Sequence, residues 1–119
     1  MNLTTAIQSG FANYMNFSTR ASRPEFWYWL LFYVLAYVVV GIIYAVAGTT
    51  IGGLATLAVA LGLILPTLGL EVRRLHDLDR SGWWLFIGLV PIVGPILLIV
   101  WFCTAGAAGP NRFGSSPLV

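Results

Sequence analysis

Six residues packed into eight positions, Arg73, Arg74, His76, Asp77, Asp79 and Arg80, are the densest chemistry in this chain. Their types allow three kinds of work. His76, Asp77 and Asp79 are acceptable ligands for a divalent metal, but three residues within four positions of one helix cannot converge on one ion without bending it. The arginines suit phosphate, because a guanidinium forks onto paired oxygens, so anionic lipid or phosphate is a second reading. The third is a salt-bridge network that folds this loop against an earlier segment carrying Arg20, Arg23 and Glu25. Glu71 and Asp79 lie toward the apolar side of the helix, and their expected partners are Arg20, Arg23 or Arg112. The third reading fits best, and no metal or cofactor is expected.

Other chemistry is thin. One histidine and one cysteine, His76 and Cys103, lie 27 residues apart and form no acyl-transfer triad. Gly41, Gly48, Gly52 and Gly53 fit neither Walker nor dinucleotide patterns, and close helix contact explains them. The chain is expected not to be an enzyme. Its net charge of +2 comes from six arginines and no lysine, too few for a nucleic-acid footprint.

The elements that must position these residues are apolar. All ten charges fall in three short stretches; Phe26–Leu70 is an uncharged run, and Ser81–Asn111 is another. At 59% hydrophobic and 8% charged, the chain belongs to the membrane class. The expected fold is all-α and integral to a membrane: one domain over residues 1–119, with three transmembrane helices, an N-terminal amphipathic helix and a cytoplasmic extension of the second span. Leu3, Ile7, Phe11, Tyr14 and Met15 make one stripe of a helix over 3–17, with Thr5 and Gln8 at capping-box spacing. That helix lies either on the membrane surface or on the protein's own loops. Residues 1–19 lack the basic start and apolar core of a signal peptide.

Ser22-Arg-Pro-Glu25 reads as a helix start, with Ser22 as N-cap and Glu25 reaching back. The first span follows over 26–47, with Trp27, Tyr28 and Trp29 as an aromatic belt. Gly48–Gly53 forms an uncharged turn. The second span covers 54–70, with a kink at Pro66, and continues to 78 on a stripe of Leu68, Val72, Leu75 and Leu78. On the other side of that extension Arg73, His76, Asp77 and Arg80 share one face. Ser81-Gly82 breaks the helix. A third apolar segment, 83–104, carries Pro91 and Pro95 at its centre. The expected form is one kinked crossing; a re-entrant hairpin is the alternative. Residues 105–119 read as an extended tail.

Arginine placement orients the chain. Both arginine clusters belong in the cytoplasm, as does the N-terminus, and 48–53 is periplasmic. A single third crossing would place the tail and Arg112 outside.

Three stretches carry a resemblance: Arg-Ala-Ser-Arg-Pro-Glu-Phe-Trp (20–27), Arg-Arg-Leu-His-Asp-Leu-Asp-Arg-Ser-Gly-Trp-Trp (73–84), and Gly-Pro-Asn-Arg-Phe-Gly (109–114) after a Pro-x-x-Gly-Pro segment. Together they resemble a small bacterial inner-membrane family known as domain of unknown function 805, across nearly the whole chain. Family members follow the last motif with Pro-x-Pro, which Gly-Ser-Ser-Pro here keeps only in part. The resemblance implies a helical, multi-pass protein of the bacterial inner membrane and no activity. Two function classes remain: a structural or accessory component acting through membrane lipids, further copies of itself or other membrane proteins, and an oligomeric transporter or channel subunit. A solute pathway needs polar residues in the spans. Thr56, Thr67, Thr104 and the tyrosines are the candidates, and that thin supply favours the first class.

Overall fold

The computed structural model describes residues 1–117. Its regular elements are helical: α1 (Leu3–Ala12), α2 (Arg23–Asp77), a 3-10 segment (Gly82–Leu89) and α3 (Val93–Cys103).

Helix α1 is shorter than the apolar stripe suggests and starts from a different cap. The Asn2 side chain accepts from the Thr5 N–H at 2.9 Å, and the Thr5 hydroxyl accepts from the Asn2 N–H at 2.9 Å. The box therefore pairs Asn2 with Thr5, not Thr5 with Gln8. After Ala12 the Asn13 and Asn16 side chains turn the chain by bonding nearby backbone and side chains, which ends the helix. It packs on α2 rather than on the loops. Gly10 lies against the Trp29 ring, and Phe11 meets Trp29 edge-on at 5.2 Å.

Helix α2 begins three residues before the expected span, capped by Ser22 onto the Glu25 N–H. The expected turn over 48–53 shrinks to one residue. Gly48 has φ +90° and ψ −178°, a conformation costly for any residue with a Cβ, and the helix resumes beyond it. Two arms result, over 23–47 and 49–77, and they fold back on one another. Gly52 packs on the Tyr44 ring, Trp29 Nε1 donates to Thr67 Oγ1 at 3.1 Å, and Glu25 meets Arg73. At 1.5 Å per residue the arms run about 37 and 43 Å, each longer than a hydrocarbon core of about 30 Å. Pro66 sits inside the second arm, whose backbone stays helical there; only Gly48 departs.

The third apolar segment departs most from expectation. It is not one kinked helix. The 3-10 segment runs out to Leu89, and Pro91-Ile92-Val93 forms a γ-turn with Ile92 at φ +68° and ψ −59°. The Val93 N–H donates to the Pro91 carbonyl at 2.8 Å, the mark of that turn. Helix α3 then comes back along the outgoing strand of chain: Trp101 meets Trp84 edge-on at 5.8 Å, and Gly94 sits where a Cβ would strike the Ile87 carbonyl. Its 11 residues span about 16 Å, half a bilayer core.

Buried side chains gather where these elements meet. Ala21, Phe26, Trp29, Leu63, Leu70, Leu75 and Phe102 form the core, joining both arms of α2 to the end of α3. Beyond it the arms are bare: of the most apolar 18 residues of α2, only 6% are buried. Val38, Val39, Ile42, Val46, Leu54, Leu57 and Leu61 all face outward.

Candidate functional site

At the open end of the hairpin the charged residues interlock. Asp77 is the hub. Arg20 reaches Asp77 Oδ1 through Nε at 3.0 Å and Nη2 at 2.9 Å, and Arg74 Nη1 reaches Oδ2 at 2.7 Å. All three side chains are nearly sealed from solvent, Arg74 completely. Two guanidiniums around one carboxylate leave surplus positive charge, and backbone carbonyls absorb it. Arg20 Nη1 donates to Gly109 O at 2.7 Å and Gly114 O at 3.2 Å, and Nη2 to Ala107 O at 2.7 Å. Arg74 donates to Phe102 O from Nε and Nη2, and to Thr104 O. Burial draws the Arg74 pKa below the ordinary guanidinium value, and Asp77 opposes that pull.

A second pair braces the start of α2. Arg73 Nη1 donates to Glu25 Oε2 at 2.9 Å, and Ser9 Oγ on α1 donates to Glu25 Oε1 at 2.9 Å. Glu25 therefore does not reach back to the cap; it ties α1, α2 and the extension together. The Arg73 side chain is 2% exposed, and its Nε and Nη2 have no protein partner among the described residues.

The stretch expected as an extended tail is instead a clasp, with Leu118 and Val119 outside the described residues. Asn111 and Gly114 exchange backbone bonds of 2.9 and 3.0 Å. Phe113 stacks on the His76 ring at 3.8 Å, nearly parallel. The Asn111 side chain donates to His76 O and the Ala107 N–H to Asp77 O, which satisfies carbonyls at the end of α2. The tail thus returns to the arginine end, because α3 folds back; the expected separation of Arg112 from the other arginines does not occur. Arg112 meets Asp79 at 3.3 Å in an exposed pair. Helix α2 ends at Asp77, with Leu78 as its C-cap, rather than at Ser81-Gly82. Asp79 adopts φ +58°, and its N–H and that of Arg80 bond back to His76 O and Leu75 O in a Schellman arrangement.

The residues proposed as metal ligands face three ways. His76 Nδ1 lies 2.9 Å from Thr19 O, Asp77 is held by two arginines, and Asp79 turns to Arg112. Burial lowers the His76 pKa, against the pull of the Thr19 carbonyl. Arg80 lies over the Trp101 ring at 4.3 Å, and Arg23 donates to Cys103 O.

Glu71 departs from its expected role. It pairs with no arginine and makes no hydrogen bond among the described residues. Instead it faces a cleft of about 1040 Å³ between the second arm of α2 and the folded-back segment. Burial there pushes its carboxyl up to about 7. Sequence reasoning also missed Ser9, Thr19, Ala107, Asn111 and Phe113 as members of the arginine end. Asn111 and Phe113 were signalled only by the Gly-Pro-Asn-Arg-Phe-Gly motif, whose physical role was not legible, and Ser9, Thr19 and Ala107 lie outside it.

The family model described as Protein of unknown function (DUF805) matches residues 14–115. The protein named Inner membrane protein YhaI of Escherichia coli (strain K12) is 41% identical over 105 residues, covering 88% of each chain. Inner membrane protein YhaH of the same organism is 39% identical over 108 residues, covering 88% of this chain and 89% of its own. Uncharacterized protein YiiR, also from that strain, is 30% identical over 92 residues, which are 76% of this chain and 55% of its own. No solved structure matches. The chain belongs to the DUF805 family.

Proposed function

We propose that this DUF805 protein is a polytopic component of the bacterial inner membrane that catalyses nothing itself and acts through lipid or protein contacts. One observation carries the reading: apart from Glu71, the charged residues that could do chemistry are engaged by the chain's own carboxylates, carbonyls and rings, while the apolar arms are left bare. A bare apolar arm about 40 Å long suits lipid and little else. The names of its relatives, both inner membrane proteins, support the same compartment.

The polar groups in the apolar segments favour a structural or accessory role over an oligomeric transporter. Thr56 donates to Gly52 O, Thr67 accepts from Trp29, and Thr104 donates to Val100 O. Engaged hydroxyls make a poor solute pathway. Homo-oligomers or other membrane proteins remain its natural partners.

In the membrane the arginine end is cytoplasmic and Gly48 periplasmic. The two arms of α2 cross; the third segment enters halfway and returns, so both termini are cytoplasmic. A cysteine at Thr50 should label with an impermeant thiol reagent in intact cells and one at Ser81 should not. A C-terminal green fluorescent fusion should be bright and an alkaline phosphatase fusion inactive. The reverse fluorescence result would restore a full third crossing. Crosslinking in native membranes, read for bound protein and lipid, tests the accessory role. Loss of an energised solute flux on deletion, with no crosslinked partner, would favour the transporter.

A further inference from the structure

Four acidic residues occur in the chain, and three are held by arginine: Glu25 by Arg73, Asp77 by Arg20 and Arg74, Asp79 by Arg112. Glu71 is the exception. The helix turns it into a cleft walled by Leu68 and Val72 from α2 and by Trp83, Phe86, Leu89 and Leu98 from the folded-back segment. At about 1040 Å³ the cleft is at the upper end of small-molecule sites, which run from about 300 to 1,000 Å³. Among the described residues no arginine forms an ion pair with Glu71. His76, at the cleft's polar end, is stacked on Phe113; Arg112 is on Asp79, and Arg80 lies over Trp101.

A carboxylate facing apolar walls without a counter-charge is unfavourable, and a bound cation relieves it. The upward shift of the Glu71 carboxyl is the same imbalance seen in the free protein. The cleft is also continuous with outward-facing apolar surface, since Trp83, Phe86 and Leu89 are each more than half exposed. Glu71 follows directly on the apolar run of α2, and the arginines follow Glu71; that is the level of a headgroup. One class of molecule meets both demands.

We propose that the cleft holds an amine-headed phospholipid of the surrounding bilayer, its ammonium donating to the Glu71 carboxylate and an acyl chain lying along the Leu68–Val72 and Phe86–Leu98 walls. This rests on the membrane reading above. An anionic lipid without an amine is disfavoured, because it would bring negative charge to the one unpaired acid.

The test is native mass spectrometry of the full chain, released from detergent and titrated with dioleoyl phosphatidylethanolamine or dioleoyl phosphatidylglycerol. The wild type should retain the ethanolamine lipid about tenfold more tightly, the worth of one charge-assisted hydrogen bond. Glu71→Gln should bring the two lipids level while melting no lower than the wild type. Ser18→Lys, at an exposed position on the cleft's rim, supplies an ammonium from the chain and should also abolish the preference. It decides the matter should Glu71→Gln fail to fold. Equal binding of the two lipids by the wild type, or a preference that survives in the folded variants, overturns the proposal. Alkaline carbonate extraction of cell membranes separates the two levels. Retained protein with no lipid preference sinks only this proposal, whereas release into the soluble fraction sinks the membrane reading and this one together.

Discussion

Replacing Asp77 with asparagine is the sharpest probe of the arginine end. The carboxylate accepts short hydrogen bonds from Arg20 Nε and Arg74 Nη1 and lies 2.9 Å from Arg20 Nη2, in side chains 1% and 0% exposed. Asparagine keeps one acceptor oxygen but points an NH₂ at a guanidinium and removes the only negative charge between two cations. Breaking a buried ion pair by altering one partner costs about 3–5 kcal/mol. The carbonyls of residues 102–114 still receive both guanidiniums, so the lower half of that range, about 3 kcal/mol, is expected. Asp79→Asn is the matched control. Its pair with Arg112 is half-exposed and worth about 0–1 kcal/mol, and asparagine tolerates the left-handed backbone there. Reversible unfolding in mixed micelles should therefore separate the two variants by about 2 kcal/mol or more. Limited proteolysis supplies a second reading: Asp77→Asn should open cleavage within 105–117, and Asp79→Asn should not. Two variants alike in both measurements would refute the claim that buried charge, rather than apolar packing, holds this end.

Glu71, with its pKa raised to about 7, adds a stability that is complete below the unfolded value of 4.5 and fades as pH rises through 7. In detergent without lipid the wild type should lose up to about 3 kcal/mol over that window relative to Glu71→Gln, at about 1.4 kcal/mol per unit; parallel pH profiles of melting would reject this. His76, whose pKa is lowered, has the opposite slope in both proteins and cancels in the comparison. Ile92→Gly should stabilise by about 1 kcal/mol, since it releases a β-branched residue from positive φ at an exposed turn; a lower melting temperature would mean that the tip is held by its side chain. Gly48→Ala should destabilise by about 1 kcal/mol or more through the same φ argument reversed, although open space surrounds that site. An unchanged melting curve would show that the arms reverse elsewhere.

What was legible in the residues was whatever repeats with a helical period or marks a helix start. Ser22 and Pro24 signalled the beginning of α2, and the long uncharged run signalled its apolar length. The stripe from Leu68 to Leu78 signalled the extension that carries Arg73 to Asp77. The reversal at Pro91–Val93 was not legible. An apolar segment with no polar face gives no sign of which side it buries, so a half-length hairpin and a kinked crossing have the same pattern. The close approach of Gly94 to Ile87 goes with the folded-back form, and that contact is tertiary. Partners of Arg20 were hidden for a different reason. Backbone carbonyls at Ala107, Gly109 and Gly114 leave no trace in residue type. Glu71 misled because opposite charges nearby in sequence suggest pairing, whereas helical rotation turns it toward the cleft.

The bonds from Arg20 to the Gly109 and Gly114 carbonyls join residues 89 and 94 positions apart. Synthesis proceeds from the N-terminus, so Arg20 and Asp77 are both made well before the carbonyls that complete their cluster. Until residues 102–114 emerge, Arg20 and Arg74 have one carboxylate between them and an otherwise open, watery setting. The apolar arms have no such dependence, since Trp29, Thr67, Tyr44 and Gly52 are all in place by then. The long-range contacts thus divide into an early set, the pairing of the two arms, and a late one, closure over the arginines. A chain released early, after about Cys103, would have its arms paired yet be unlocked at one end. Proteases that recognise loose segments would find it there, so the clasp doubles as a mark that translation reached the Gly-Pro-Asn-Arg-Phe-Gly motif.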